Sequence, residues 1–305
     1  MRDIVQWVVA ASEEGLRLDA FLASHLSSPV PSLSRRAIAE LITARQVRVN
    51  GRPGKKGQRV HAGDTIIAPV ALSLPANAAL SIRVVYTDDA LVVLDKAAGI
   101  PSVALRHSET DTVANFLAAR FPETVTAGPH PLECGLLQRL DTATSGLLLA
   151  ARTPDAYASL REQFRARSIE KQYLAVVEGR LYDSGQVTSR LVPSGPRGQH
   201  MRVDADGQEA NTAYVPMALS ERYTLLRITL TTGVRHQIRV HVAALGHPIV
   251  GDTHYGAPHG ASRLYLHAAA LGFTSPATSQ RVHCVSPAPQ EFAALVEHIE
   301  GMVGG

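Results

Sequence analysis

A stretch without a single charge, from Ala68 to Leu80, divides the sequence into two unequal parts. It contains Pro69 and Pro75 among many small residues, a composition typical of a linker rather than of a helix or a central strand. The chain of 305 residues is long enough for a large core with a small domain attached. We therefore predict a domain at residues 1–67, a linker at residues 68–80 and a second domain at residues 81–305.

Positive charge is concentrated in the first of these domains. The whole chain has a net charge of +3, whereas residues 17–59 contain nine Lys or Arg against Asp19 and Glu40. Such a local excess is typical of a surface that binds a polyanion. A solvated basic face is the simpler alternative.

The remaining composition argues against several classes of protein. No run of about 18 apolar residues occurs, and the start of the sequence lacks an apolar segment that ends in a small-residue cleavage site. The two cysteines, Cys134 and Cys284, are far apart and outside any Cys-x-x-Cys pair. Neither a disulfide framework nor a zinc site is indicated. We expect no metal, no membrane partner, and a location in the reducing cytoplasm.

The first domain is predicted to contain two helices followed by a small hairpin. Apolar residues recur at helical spacing from Leu18 to Leu26, and again after Ser34, which is placed to cap the second helix. The dipeptide Asn50-Gly51 follows an alternating run and is a strong signal for a tight turn. A further strand is predicted near Arg59-Val60.

The second domain interleaves strand and helix patterns without the regular period of a doubly wound fold. The run from Asp183 to Glu209 is predicted only as a long hairpin or a surface excursion. The fold class is therefore α+β, with a mixed, mostly antiparallel sheet behind a small N-terminal domain of helices and a hairpin. Strands are predicted near residues 81–86, 91–95, 147–151, 170–178, 223–230 and 264–268, and helices near 112–120, 154–164, 235–245 and 291–303.

A polar loop, Gln138 to Gly146, lies directly before one of these apolar strands and reads Gln-Arg-Leu-Asp-Thr-Ala-Thr-Ser-Gly. It holds one acid, Asp141, close to Arg139. A carboxylate on a loop that leads into a buried strand is a common position for a catalytic group. The simpler alternative is that Asp141 only opens a turn by accepting a bond from the backbone of Ala143 or Thr144.

This loop resembles the signature of one family of pseudouridine synthases, the enzymes that modify uridine in large-subunit rRNA and in tRNA, which reads His-Arg-Leu-Asp-x-x-Thr-Ser-Gly. A second stretch, Thr232 to Arg239, is similar to the family's Thr-Gly-Arg-x-His-Gln-Ile-Arg. A third, Leu94 to Ile100, resembles its early strand and Asn-Lys-Pro-x-Gly loop. This sequence departs from the family pattern at Gln138, Asp95, Ala97 and Val234.

The first domain is similar to the S4-like RNA-binding module, through Arg17-Leu18-Asp19, Ser34-Arg35-Arg36, Val47 to Gly51 and Gly63-Asp64. The resemblance implies that its basic side chains contact phosphates, which position an RNA without reading its sequence. The residues concerned are Arg35, Arg36, Arg45, Arg48, Lys55 and Lys56.

The family resemblance implies isomerisation of uridine to pseudouridine within RNA, with Asp141 as the catalytic carboxylate and without a cofactor. Arg239 is implied to pair with Asp141, and an arginine stabilises the ionised form of a carboxylate in a dry pocket. Tyr173, in a Lys-x-Tyr-x-Ala-x-Val-x-Gly match, is implied to pack on the target uracil and to help remove the proton from its C5. Leu266 is implied to line the pocket beneath it, and Arg139 to enter the space left by the flipped nucleotide. For Tyr173 and Leu266, ordinary core packing is the alternative.

Other functions stay open at this point. The four departures motivate a catalytically silent RNA-binding or ribosome-assembly factor. A hydrolase that uses Asp141 or Ser145 is a second alternative. Against it, the sequence lacks a Gly-x-Ser-x-Gly elbow, and its 13 histidines show no recognisable catalytic or metal spacing. The expected partner is RNA, large-subunit rRNA before tRNA, and the sequence indicates no obligate protein partner.

Overall fold

The computed structural model of the chain describes residues 4–26, 35–69, 74–104, 109–258, 260–292 and 295. The chain forms two compact units, one of residues 1–79 with 103–134 and the other of residues 80–102 with 135–305. The domain limits predicted from the sequence stay a prediction. Within the described residues, no helix is long and apolar enough to cross a membrane.

The first unit combines short helices with a small antiparallel sheet of order β1-β4-β2-β3. Helices α1 and α2 share one apolar core with the sheet, in which Phe21, Ile38 and Val60 are fully buried. The helix α3 begins after Thr112, whose hydroxyl accepts a hydrogen bond from the Asn115 N–H. The elements are β1 (Ile4–Val8), α1 (Leu18–His25), α2 (Arg35–Thr43), β2 (Arg48–Val49), β3 (Arg52–Pro53), β4 (Thr65–Pro69) and α3 (Val113–Arg120).

The predicted hairpin turn is confirmed. Asn50 and Gly51 both have positive φ, at 50° and 77°, the left-handed pair that a two-residue hairpin requires. Strand β1 was not predicted, and Arg59 forms only an isolated bridge with Arg17. The predicted cap, Ser34, lies outside the described residues.

The second unit is built on a ten-stranded sheet of order β10-β9-β11-β12-β8-β13-β7-β6-β5, with β14 paired to β13. Among the described strands, β13 and β7 pair in parallel and the other neighbours are antiparallel. The predicted α+β class with a mixed, mostly antiparallel sheet is confirmed. The strands are β5 (Arg83–Thr87), β6 (Leu91–Lys96), β7 (Ser145–Ala151), β8 (Glu170–Glu178), β9 (Gly185–Ser194), β10 (His200–Val203), β11 (Gln208–Leu219), β12 (Tyr223–Leu230), β13 (Leu266–Thr274) and β14 (Arg281–Val285).

Strand β7 lies deep in this sheet, and all seven of its residues are buried. Gly146, near its start, has φ of 112°, and a Cβ atom there would lie 2.3 Å from the carbonyl oxygen of Ala268. Only glycine allows that approach of β13. The loop before β7 is therefore held against the sheet by a backbone contact that any larger residue would prevent.

Two longer α-helices lie in the described part of the second unit. Helix α4 (Pro154–Arg165) begins with Pro154 after the cap Thr153, as predicted. Helix α5 (Gln237–Ala244) begins two residues later than predicted, because His236 has φ of 54° and is left-handed. Arg235 therefore precedes the helix, and the predicted helix start at residue 235, which would place Arg235 and Arg239 one turn apart, was wrong. At the start of the predicted C-terminal helix, residues 290–292 and 295 are helical, and its remaining residues lie outside the described part of the chain.

Candidate active site

Asp141 lies on a loop whose backbone is fixed from both sides. The hydroxyl of Ser102 donates to the carbonyl of Leu140 at 2.8 Å and accepts from its N–H at 3.0 Å. The Thr144 N–H donates to the carbonyl of Asp141 at 3.0 Å, which closes a turn. The turn thus closes on the backbone carbonyl of Asp141 and not on its side chain, as the simpler alternative had it, and the Asp141 carboxylate is available for other partners.

A buried lysine fixes the other side of the loop. Lys96 is fully buried, and its Nζ donates to the carbonyls of Ala97, Ile100 and Thr142 at 3.0, 2.8 and 3.1 Å. Burial lowers the pKa of Lys96 to about 7, although the charge of Asp141 opposes this shift. Lys96 therefore joins the loop after β6 to the residue that follows Asp141.

The predicted contact between Asp141 and Arg239 is present. Nη1 of Arg239 donates to Oδ2 of Asp141 at 2.9 Å. Its Nε and Nη2 donate to the two carboxylate oxygens of Asp252 at 2.7 and 2.8 Å. Asp252 is buried, so one guanidinium joins a fully enclosed carboxylate to a carboxylate that is still partly accessible.

The charges around Arg239 decide its protonation. Burial disfavours the charged guanidinium, but the ion pair with Asp252 and then that with Asp141 outweigh it and raise the pKa of Arg239. The guanidinium carbon also lies 5.1 Å from the centre of the Tyr255 ring, a cation–π contact. Arg239 is a permanent cation that cannot rotate away from Asp141 without breaking its bonds to Asp252.

His236 faces the second oxygen of Asp141. Its Nε2 lies 3.7 Å from Oδ1, and its Nδ1 lies 2.7 Å from the hydroxyl of Tyr255. Burial lowers the pKa of His236 to about 4; Asp141 opposes the shift, and Arg239 and Arg235 add to it. The ring is therefore a neutral imidazole at neutral pH.

Tyr173 and Leu266 lie on neighbouring strands and share one face of the sheet. Tyr173 on β8 is opposite Ala268 on β13, and Leu266 is opposite Ala175, so the four side chains point the same way. Both predicted residues are buried. Burial, with the charge of Asp141 second, raises the pKa of Tyr173, so its phenol is neutral at neutral pH.

The residues predicted to contact RNA phosphates lie on the surface where they are described. Arg45, Arg48, Lys55 and Lys56 are exposed in the first unit, and Nη1 of Arg48 donates to the Gly51 carbonyl at 2.8 Å. The side chains of Arg35 and Arg36 lie outside the described residues. Arg139, on the Asp141 loop of the second unit, is exposed.

The departures from the family pattern have structural partners. Asp95 forms an ion pair with Arg83 at 2.7 Å. Val234 packs in an apolar cluster with Leu191, Met201, Ala210 and Val240. Gln138 donates to the carbonyl of Leu147 at 3.5 Å, and the carbonyl of Ala97 accepts one bond of Lys96. Arg235, beside Val234, donates to the carbonyls of Gly198 and Gln199.

Ser145 also has a histidine partner, which bears on the hydrolase alternative. Its hydroxyl lies 2.9 Å from Nδ1 of His267 and accepts a bond from Nη2 of Arg263 at 2.7 Å. Nε2 of His267 lies 3.0 Å from the carbonyl of Ser286, and both Ser145 and His267 are buried. This pair fastens β7 to β13 inside the core, where a substrate has no access.

The sequence did not single out Lys96, Asp252, Tyr255 or a role for His236. The available signal for two of them is the run Gly251-Asp252-Thr253-His254-Tyr255-Gly256, an acid and an aromatic residue between two glycines. Gly251 and Gly256 both have positive φ, at 81° and 98°. Within the described residues, no group of three or more His, Cys, Asp or Glu could hold a metal ion.

Two domain families match this chain. Residues 90–244 match the family described as RNA pseudouridylate synthase, and residues 16–66 match the S4 domain. The first match includes the loop of Asp141 and also covers Tyr173 and Arg239. The second spans the basic segment of the first unit.

Individual proteins and structures agree with this assignment. The chain is 34% identical to a ribosomal large subunit pseudouridine synthase D of Xanthomonas campestris, over 95% of this chain and 91% of that protein. It is 30% identical to a ribosomal large subunit pseudouridine synthase C of Vibrio vulnificus, over 93% of each. The fold is similar to that of human RNA pseudouridylate synthase domain containing 1, with a TM-score of 0.55 and 24% identity over 72% of this chain and 95% of that one. The chain therefore belongs to the RNA pseudouridylate synthase family, with an S4 domain near its N-terminus, and is an RNA pseudouridine synthase.

Proposed function

We propose that this enzyme isomerises uridine in large-subunit rRNA and that Asp141 is its catalytic carboxylate. The observation that carries the assignment of Asp141 is its ion pair with Arg239 at 2.9 Å. The same guanidinium also binds the buried Asp252. This arrangement places a fixed positive charge beside the Asp141 carboxylate and holds that carboxylate in one position. It also leaves one oxygen, Oδ1, without a hydrogen bond from Arg239.

In the proposed reaction, Asp141 acts on the ribose of the target nucleotide, either as a nucleophile or by removing a proton. The bond between N1 and C1′ breaks, the detached uracil turns, and C5 forms a new bond to C1′. C5 then loses a proton, N1 gains one, and any bond between Asp141 and the ribose is broken, so that uridine and its product have the same atoms. The reaction is an isomerisation, so no group has to be supplied or removed.

Tyr173 and Leu266 are proposed to form the floor on which the uracil turns. They lie on one face of the sheet. On the neighbouring strand β12, the apolar residues Leu226 and Ile228 lie opposite Ala175 and Tyr173. The phenol of Tyr173 is neutral, so it can accept the C5 proton only if its own hydroxyl proton leaves at the same time. Packing against the uracil requires no such transfer.

The target nucleotide must leave its stacked strand to reach Asp141, at a cost of about a few kcal/mol. Arg139 is exposed two residues before Asp141, and we propose that it enters the space that the nucleotide leaves. The basic residues of the first unit are proposed to hold the surrounding RNA through its phosphates. They include the described Arg45, Arg48, Lys55 and Lys56, with Arg35 and Arg36 on α2.

Two observations support large-subunit rRNA as the substrate. The relatives from Xanthomonas campestris and Vibrio vulnificus are named for the ribosomal large subunit, and this chain covers nearly their whole length. The S4 match places a nucleic-acid module in front of the synthase region, consistent with a large structured substrate. A tRNA substrate is the alternative within the same chemistry, and the predicted cytoplasmic location fits either RNA.

The test is to incubate wild type and Asp141→Asn with rRNA and tRNA transcripts and to map pseudouridine by carbodiimide-dependent reverse-transcription stops. We expect stops in large-subunit rRNA with the wild type alone, because asparagine keeps the size of the side chain and removes its charge. Asp183→Asn, at an exposed acid of the same unit, is the matched control and should behave as the wild type. Stops that persist with Asp141→Asn would exclude Asp141 as the catalytic group. Stops confined to tRNA would mean that tRNA and not rRNA is the substrate. No stops with either RNA, while the wild type and Asp141→Asn bind RNA equally, would favour a silent RNA-binding factor.

A further inference from the structure

His236 occupies a backbone conformation that few residues other than glycine adopt. Its φ is 54°, and it lies immediately before helix α5, three residues before Arg239. Such strain persists only where the surrounding structure enforces it, and it is concentrated at functional sites. Here the left-handed turn directs the imidazole at the carboxylate that Arg239 binds.

Two side chains therefore face two different oxygens of Asp141. Arg239 holds Oδ2 at 2.9 Å, whereas Nε2 of His236 faces Oδ1 at 3.7 Å. The longer distance leaves Oδ1 free to move toward a substrate. Which nitrogen of His236 carries the proton decides whether this contact attracts or repels the carboxylate.

The hydrogen bonds of Tyr255 favour one of the two tautomers of His236. The backbone N–H of Met201 can only donate, and it lies 2.9 Å from the Tyr255 hydroxyl oxygen, which must accept. The hydroxyl has a single hydrogen, and Nδ1 of His236 lies 2.7 Å away. All three groups are satisfied if Tyr255 donates to Nδ1, which leaves the proton of the neutral ring on Nε2.

We propose that His236 is a positioning residue for Asp141, held by Tyr255 as the tautomer whose Nε2–H points at Oδ1. The contact orients the carboxylate so that Oδ2 stays with Arg239 and Oδ1 is the oxygen that reacts. This proposal rests on the assignment of Asp141 as the catalytic carboxylate.

A neutral donor suits this position better than a cation. Arg239 already carries a full positive charge next to Asp141, and a second cation would stabilise the carboxylate further and weaken it as a nucleophile or base. The charged groups that face His236 are Asp141, Arg239, Arg235 and Asp252. Two of these groups are anions and two are cations, so their effects on the ring oppose each other. The ring therefore stays neutral mainly because it is buried.

The same hydrogen bonds connect the site to the long excursion after β8. Met201 belongs to β10, and Arg235 donates to the carbonyls of Gly198 and Gln199 just before it. Tyr255 also packs against the apolar cluster of Leu191, Met201 and Val234. The hairpin of β9 and β10 thus supports the proposed tautomer of His236, because the Met201 N–H occupies one acceptor position of the Tyr255 hydroxyl.

The direct test is the tautomer itself, measured by long-range proton–nitrogen correlation on protein labelled with ¹⁵N histidine. The signal of His236 is identified by its loss in His236→Asn. We expect the Nε2–H tautomer at pH 7 in the wild type and a mixture of tautomers in Tyr255→Phe, which keeps the ring beneath Arg239 and removes the hydroxyl. A charged ring or an Nδ1–H tautomer in the wild type would overturn the proposal, as would an unchanged signal in Tyr255→Phe.

Kinetics give the second test. We expect Tyr255→Phe to lower kcat roughly tenfold or more with KM for the RNA unchanged, because a small displacement of a reacting group is costly. Tyr182→Phe, at an exposed tyrosine of the same unit, is the matched control and should leave both values unchanged. A higher KM at unchanged kcat would mean that Tyr255 serves RNA binding instead.

Two substitutions at His236 separate positioning from backbone structure. Asparagine tolerates left-handed φ better than most residues but its amide is too short to replace Nε2. Glutamine places an N–H near the position of Nε2 at a less suitable backbone. Positioning predicts that His236→Gln retains the higher kcat, whereas a purely structural role predicts the reverse order and would overturn the proposal.

The two proposals can fail separately. If Asp141→Asn stays active, the assignment of Asp141 fails whatever the tautomer of His236. If Asp141→Asn is inactive while Tyr255→Phe changes neither the tautomer nor kcat, only the role of His236 fails.

Discussion

Two arginine–aspartate pairs in this chain have nearly the same geometry and opposite surroundings. In the first unit, Nε and Nη2 of Arg17 each lie 2.9 Å from an oxygen of Asp19. In the second unit, the same two nitrogens of Arg239 lie 2.7 and 2.8 Å from Asp252. The side chains of the first pair are 54% and 36% exposed, and those of the second 8% and 1%. Distance therefore does not distinguish the pairs, and burial does.

Burial changes what each pair can do. An exposed pair competes with water and salt, so it adds little to stability, and its arginine stays free to exchange the carboxylate for an RNA phosphate. A buried pair cannot lose one partner without leaving an uncompensated charge. The first unit carries its charge on the surface, where we propose that it holds a polyanion, and the second uses buried charge to fix the position of one carboxylate.

The largest expected effect is that of Asp252→Asn. It leaves Arg239 buried with Asp141 as its remaining carboxylate, and the free energy of unfolding should fall by about 3 kcal/mol. The guanidinium also loses its fixed orientation, so kcat should fall. Urea denaturation followed by circular dichroism measures the first effect, and single-turnover pseudouridine formation the second. Unchanged stability would mean that burial does not distinguish this pair from Arg17 and Asp19.

A buried cation without a carboxylate partner sharpens the comparison. Lys96→Met removes the donor of three carbonyls next to Asp141, and we expect a loss of about 2 kcal/mol in the free energy of unfolding at pH 7. Lys171→Met is the matched control, because this second buried lysine donates to the Thr232 carbonyl. Lys171→Met should lower the free energy of unfolding by less than Lys96→Met does.

The same variant has a predicted pH dependence. The pKa of Lys96 is about 7 in the folded chain against an ordinary value of 10.5, so between these values the unfolded chain binds more protons. Stability of the wild type should therefore rise with pH in this window, by up to about 1.4 kcal/mol per pH unit relative to Lys96→Met. Denaturation of both proteins at pH 7 and pH 9 tests the sign. If the difference in unfolding free energy between the wild type and Lys96→Met became smaller from pH 7 to pH 9, a buried lysine with a lowered pKa would be excluded.

A smaller effect, on RNA binding and not on stability, is expected from the double variant Lys55→Gln with Lys56→Gln. Both side chains are exposed, so unfolding should be unchanged. If each contacts a phosphate, the slope of log affinity against log salt should fall by about two. The matched control is Arg165→Gln with Arg167→Gln, which removes the same charge from residues paired with Glu162 and Glu209 in the second unit. Equal changes in slope would mean that net charge matters and its position does not.

The sequence predicted best what depends on local pattern. The helical period from Leu18, the Asn50-Gly51 turn and the alternation from Tyr223 each match an element of the structure. The contact between Asp141 and Arg239 was predicted from family resemblance, and it is present although the residues are far apart in the chain. Local patterns and a shared motif therefore carried most of the fold and the centre of the site.

What the sequence did not predict depends on packing between distant segments. Asp252 and Tyr255 belong to a glycine-bounded turn, and nothing in their local pattern indicates that they meet Arg239 and His236. The start of α5 was misplaced because a helical apolar period says nothing about a left-handed His236 before it. The buried Lys96 carries no local sign that its charge is enclosed by three carbonyls.

The smallest expected effect closes the comparison of the two pairs. Asp19→Asn removes a carboxylate that both binds Arg17 and raises its pKa, yet water and salt replace the lost partner at an exposed site. Unfolding by urea should match the wild type within experimental error, while Asp252→Asn is clearly destabilised under the same conditions. RNA should bind slightly more tightly, because Arg17 gains a free guanidinium and the unit gains one net positive charge. Equal destabilisation by the two substitutions would mean that bidentate geometry, and not burial, sets the strength of an arginine–aspartate pair in this fold.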